Sequence, residues 1–165
     1  MTPVPRPTLW ICVAGVLAFT AYAALAAVQI LVLNPIAAAP GSLSLDEVRA
    51  AMSNAGESLM APTVLGILAA GVCLAIGTAV VCLLTRAPAV VAGMTFLALL
   101  MGGAPAYFVA SFGPGMGLAD TFHISGADAS PWALPLYAVS ALAAVGVLVG
   151  AALTSRRRGP APATA

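Results

Sequence analysis

Lysine is absent from the 165 residues, and charge of either sign is scarce, at 7% of the chain. That excludes an ordinary soluble surface, in which roughly a quarter of residues are charged. A formal net charge of +1 leaves no basic footprint for nucleic acid and no polybasic patch for anionic lipid. Histidine occurs once, and the three cysteines include no Cys-x-x-Cys pair. No H-E-x-x-H, Walker A, G-x-S-x-G or G-x-G-x-x-G pattern can be read anywhere, which removes the commonest metal, nucleotide and nucleophile signatures.

What is there is apolar: 62% of residues are hydrophobic and the mean hydropathy is +1.08. Crossing a hydrocarbon core of about 30 Å takes about 20 residues of helix. Four uncharged stretches reach that length, at about 9–33, 62–85, 89–111 and 132–153. The expected fold class is therefore an all-α integral membrane protein, an antiparallel bundle of four transmembrane helices. Residues 1–155 form one domain, followed by an Arg/Pro/Ala tail at 156–165 that is expected to be cytoplasmic and without fixed structure. Arg6 ahead of an apolar run, with Ala24-Leu25-Ala26 inside it, also fits a cleaved signal peptide. The apolar run continues to Leu33, longer than a signal core of about 7 to 15 residues, and favours a retained span.

Arginine placement sets the expected orientation, because short Arg-rich segments stay on the cytoplasmic side. Arg6, Arg86, Arg156, Arg157 and Arg158 fall at the two termini and in the turn between the second and third spans. Four spans put these places on one side, so both termini are expected in the cytoplasm. Loops 34–61 and 112–131 are then extracytoplasmic, and they hold every acid, His123 and only Arg49 among the arginines. Trp10 near the inner boundary, and Tyr107, Phe108, Phe112, Trp132 and Tyr137 near the outer one, fit the interfacial preference of amphipathic rings.

In the first outer loop Ser44 precedes Glu47 by three, the capping-box spacing, with Leu43 and Val48 placed as a hydrophobic staple. Val48, Met52, Ala55 and Leu59 recur at threes and fours, predicting a short amphipathic helix with Asp46, Arg49, Ser53 and Glu57 on its polar side. In the second loop Gly113-Pro-Gly-Met-Gly117 reads as a flexible turn, and residues 118–124 as about two helical turns stopped by Gly126. Ser130 is expected to cap the fourth span, with Pro131 at its first position. The two loops share enough outline to suggest a two-hairpin pseudo-repeat.

Within the spans, Gly146 and Gly150 make a GxxxG, and Gly71, Ala75 and Ala79 a small stripe; both read first as packing seams, with self-association as the alternative. Gly102, Gly103 and Pro105 predict a kink in the third span. Gln29, Thr20, Thr78, Thr95, Tyr107 and Ser140 are the groups available for hydrogen bonds between helices.

Candidate chemistry is thin. Cys12, Cys73 and Cys82 all lie within spans, and Cys73 and Cys82 are about 13 Å apart along one helix, too far for a disulfide. Four-span disulfide-forming enzymes and epoxide reductases need a Cys-x-x-Cys, and small four-span exporters need an intramembrane carboxylate; neither occurs here. Asp120, His123 and Asp128, with Glu57 as a further candidate, are the one set that could approach a metal, against the plainer reading of a solvated loop. No catalytic, cofactor or metal residue is assigned. The expected function is a non-enzymatic accessory or structural membrane component whose outer amphipathic helix and Gly-rich loop present a surface to a protein partner. The alternative is a small carrier or binding protein for a neutral or lipophilic ligand, with a cavity near Tyr107, Gln29 and Tyr137 at the kinked third span.

Overall fold

The structure, a computed structural model, describes residues 6–157, and every regular element in them is helical. Four long helices are apolar enough to cross a membrane: Arg6–Ala38, Ala61–Leu84, Ala89–Phe122 and Ala133–Arg156. The first comprises α1 (Arg6–Val28), a π-helical turn (Gln29–Leu33) and α2 (Asn34–Ala38). Then follow α3 (Leu45–Asn54), α4 (Ala61–Leu84), α5 (Ala89–Met101), α6 (Gly103–Phe122) and α7 (Ala133–Arg157). Residues 158–165, which hold Arg158 and most of the expected tail, lie outside the described residues.

The long helices are apolar all round, so small residues rather than an oily stripe decide which faces meet. The Gly71, Ala75, Ala79 stripe of α4 takes α1 against it: a Cβ on Gly71 would stand 2.9 Å from the Phe19 ring, and Ala75 is fully buried. The GxxxG of α7 takes α5: a Cβ on Gly146 would stand 3.1 Å from Leu97, and one on Gly150 would overlap Met94. Both seams are thus filled from within the chain. At the Arg86 end, the Thr8 hydroxyl donates to the Ala87 carbonyl (3.0 Å), tying the start of α1 to the turn between α4 and α5. Cys12 and Cys82 meet one turn further in, beside Phe19, Ala79 and Phe96.

The lateral surface stays apolar, with Leu17, Leu74, Val90, Leu142 and Leu148 each more than 60% exposed. In water this surface would drive aggregation; against hydrocarbon it needs no cover.

The third helix corrects the sequence reading. It does not end near residue 111 but runs on to Phe122, so Gly113 to Gly117 form helix instead of a turn, with Pro114 inside it. Those glycines serve close approach. A Cβ on Gly113 would press Met60 (2.6 Å), one on Gly115 the Gly126 carbonyl (2.9 Å), and one on Gly117 both Met52 and Glu57 (3.0 and 3.1 Å). The helix also stops earlier than the predicted 124, at Phe122, with His123 in the left-handed conformation as its cap. With one connection folded into a short helix and the other largely absorbed into α6, the two segments differ in architecture, and the pseudo-repeat is not supported.

The α3 segment forms where its capping signal stands. Ser44 Oγ accepts from the Glu47 amide (3.3 Å), while Glu47 Oε2 accepts from both the amide (2.8 Å) and the hydroxyl (2.7 Å) of Ser44. These bonds hold the Glu47 carboxyl below the usual glutamate range. Val48 and Met52 bury against Leu59 and Leu118, with Leu43 beside them, forming a small core of their own. Gly56, at φ +81°, follows the end of α3, so Ala55 and Leu59 lie beyond the helix.

Candidate functional site

The densest polar arrangement lies where the first long helix, α6, α7 and the segment joining them meet. Its origin is the π turn. Pro35 has no amide hydrogen for the Leu31 carbonyl and its ring crowds that carbonyl, a standard cause of a widened turn. The Asn34 amide accordingly reaches back five residues to the Gln29 carbonyl. In an α-helix, residues five apart diverge by about 140°, whereas the π turn brings them onto nearly one face. Gln29 and Asn34 consequently grip the same residue: Gln29 Nε2 donates to the Ser130 carbonyl (3.4 Å), and Asn34 Oδ1 accepts from the amides of Ser130 (3.3 Å) and Ala129 (2.7 Å).

Next to this clamp, Asp128 accepts two phenol hydrogen bonds. Tyr107 donates to its Oδ1 (2.6 Å) and Tyr137 to its Oδ2 (2.9 Å). The rings stand edge to face at 5.6 Å. Tyr107 is fully buried and also in hydrogen-bond contact with Gln29, whose Oε1 is buried without a partner. Asp128 itself is exposed, at the wall of a cavity of about 350 Å³ that Phe108, Phe112, Met116, Asn34 and Tyr137 also line. A second hollow, about 300 Å³, lies across Asp128 and Tyr137 beside Ser130 and Leu134.

The kink expected from Gly102 to Pro105 is present as a break at Gly102 between α5 and α6, and Ser140 of α7 fills it. Its hydroxyl accepts from the Ala104 amide (2.9 Å) and donates to the Leu100 carbonyl (2.9 Å), the two groups an unbroken helix would have joined to each other. Tyr22 shares that hydroxyl at 3.4 Å, and a Cβ on Gly103 would strike the Tyr22 ring at 2.8 Å. The break is a repaired bend. An apolar groove of about 260 Å³ between α1 and α7 reaches Leu100 and Tyr22 but is not lined by residues 102–105.

Of the residues singled out from sequence, Gln29, Tyr107 and Tyr137 do converge, and Ser140 does link helices. Thr20 and Thr95 do not: each hydroxyl turns back to a carbonyl of its own helix, those of Val16 (2.8 Å) and Val91 (2.9 Å). Asp120, His123 and Asp128 do not come together, and among the described residues no three His, Cys, Asp or Glu side chains do. Asp120 and His123 are exposed, Glu57 packs by Gly117, and Asp128 belongs to the tyrosines. Ser130 accepts from the Trp132 amide (3.4 Å), but α7 begins at Ala133, so Ser130 and Pro131 form a turn ahead of the helix and are not its cap and first residue as expected. Sequence reasoning missed Asn34, Tyr22, the Cys12–Cys82 contact and the pairing of Asp128 with both tyrosines. Only Asn34-Pro35 carried a visible signal, a proline within an apolar helix. Comparison of the chain with protein-family models, with curated proteins and with solved structures finds no match.

Proposed function

We propose that the chain is an integral protein of the cell membrane, an antiparallel four-helix bundle with both termini cytoplasmic. Its role is a non-enzymatic accessory or structural one, carried by the extracytoplasmic cap. One observation carries this reading: α3 is held by a small core of its own against the end of α6. Val48, Met52 and Leu59 close on Leu118 of α6, while Asp46 stays exposed and Arg49 and Ser53, also exposed, line a hollow of about 330 Å³. A pre-formed polar face with an exposed Asp46–Arg49 pair (3.6 Å) suits reversible docking of a protein partner, because little ordering is left to be done on binding. The test is affinity purification of the tagged chain in native nanodiscs at native expression level. A stoichiometric partner that is lost on the charge reversal Arg49→Glu, while the chain's own thermal stability is kept, is the expected result. Solute movement or substrate turnover by the purified chain alone in liposomes would sink the reading.

A second reading, a small binding protein for a lipophilic ligand, is favoured by the cavity beside Asp128 and Tyr137. Its place differs from the one expected. Ser140 occupies the break, and the cavity opens one to three turns further along α6, between Phe108 and Met116.

A further inference from the structure

From the Asp128 cavity we infer that the protein binds an amphiphilic organic ammonium ion, with the Asp128 carboxylate as counter-ion and the rings of Phe108, Phe112 and Tyr137 around the cationic head. The inference rests on the second reading above and gives that ligand its chemistry.

Three features argue for it. The first is uncompensated charge. Tyr107 and Tyr137 hold both carboxylate oxygens in place, but a phenol is a neutral donor and leaves the negative charge intact. Each oxygen keeps a further acceptor site, and none of the residues lining either hollow beside Asp128 is cationic. The second is the lining. Phe108 and Phe112 lie 5.9 Å apart and are more than half exposed, and with Tyr137 they bring three aromatic rings to the lining of the cavity. Aromatic faces attract ammonium groups and repel carboxylates, so ring and carboxylate select the same sign of charge. The third is shape. About 350 Å³ takes a substituted ammonium head and the first carbons of a chain, and exposed Met116 and Phe112 continue the wall as apolar surface along which a tail could leave. An inorganic cation would gain from the carboxylate alone, with the oxygen donors too few to replace its water.

An ammonium head of this kind belongs either to a membrane lipid or to a free hydrophobic amine, and the experiment separates them. The full chain in uncharged maltoside micelles is titrated with octyltrimethylammonium, with 1-octanol and octyl sulfate as neutral and anionic counterparts. Heat of binding and the aromatic NMR signals of Phe108, Phe112 and Tyr137 are recorded. The ammonium ion is expected to bind, to weaken with added salt, and to lose about tenfold in affinity in Asp128→Asn, which keeps the shape and one phenol donation, turns the other bond round so that the amide donates to the phenol oxygen, and removes the charge. Phe112→Ala, at an exposed position that the fold does not depend on, is expected to lose affinity severalfold while leaving salt dependence intact. Native mass spectrometry of the chain drawn from membranes then assigns the source. Retained phosphatidylethanolamine in preference to phosphatidylglycerol, lost in Asp128→Asn, identifies a lipid head; octyltrimethylammonium binding with no such retention identifies a free amine. Equal binding of octanol and the ammonium ion, unaffected by Asp128→Asn and Phe112→Ala, overturns the charge assignment and leaves the binding-protein reading standing. No binding by any of the three amphiphiles, with no retained lipid, overturns both.

Discussion

Asn34 Oδ1 receives two successive backbone amides, the part-buried one of Ala129 and the buried one of Ser130. Asn34→Ala leaves two donors without an acceptor and is expected to cost about 1–3 kcal/mol, seen as a lower melting temperature in detergent and faster amide exchange at 129 and 130. Glu47 makes the opposite kind of contribution, exposed and titratable. Because Ser44 lowers its folded value, the bonds stabilise α3 fully above the ordinary glutamate range, and that stabilisation is lost as pH falls through the lowered value. NMR titration of the Glu47 carboxyl should therefore show fraying of Leu45–Asn54 beginning only in acid, and Glu47→Gln should weaken the pH dependence. These two residues were unequally legible. Ser44 and Glu47 are three apart, so their pairing is local and readable; Asn34 and Ala129 are brought together by packing, and no spacing rule spans that distance.

At the scale of elements, the four spans and α3 could be read from hydropathy and capping, because both signals are carried by consecutive residues. The run from Gly113 to Gly117 could not. Glycine is favoured both where backbone must turn and where helices must touch, and composition alone does not separate the two. The contacts of Gly113, Gly115 and Gly117 decide for touching. The α5 and α7 seam follows the same logic: Gly150→Leu drives a side chain into Met94 and is expected to destabilise by about 1–3 kcal/mol. Since the GxxxG face is covered by α5, the variant should shift the melting temperature without changing the monomer fraction in analytical ultracentrifugation.

For the whole molecule, the exposed leucines and valines around the long helices describe a body made for hydrocarbon, and the Arg86 end is expected to face the cytoplasm. Single cysteines introduced by Ser53→Cys and Thr85→Cys, in a background of Cys73→Ala, test this directly. In intact cells a membrane-impermeant maleimide should label position 53, and position 85 only after permeabilisation; the reverse result would invert the topology. An expected orientation can be drawn from sequence because it depends on the placement of arginines along the chain. The Asp128 cluster cannot, because loop acids look alike until tertiary packing shows which of them meets tyrosines.

The π turn has a consequence for chain length. A widened turn of this kind is equivalent to an α-helix carrying one surplus residue, absorbed without rotating what lies on either side. Gln29 and Asn34 would share a face equally well four residues apart in a plain helix. Removing Val32 should therefore give a shortened chain that still folds and still grips Ser130, whereas adding one residue at the same point would swing Asn34 about 100° away and release the loop. The first long helix is thus expected to tolerate a deletion better than an insertion.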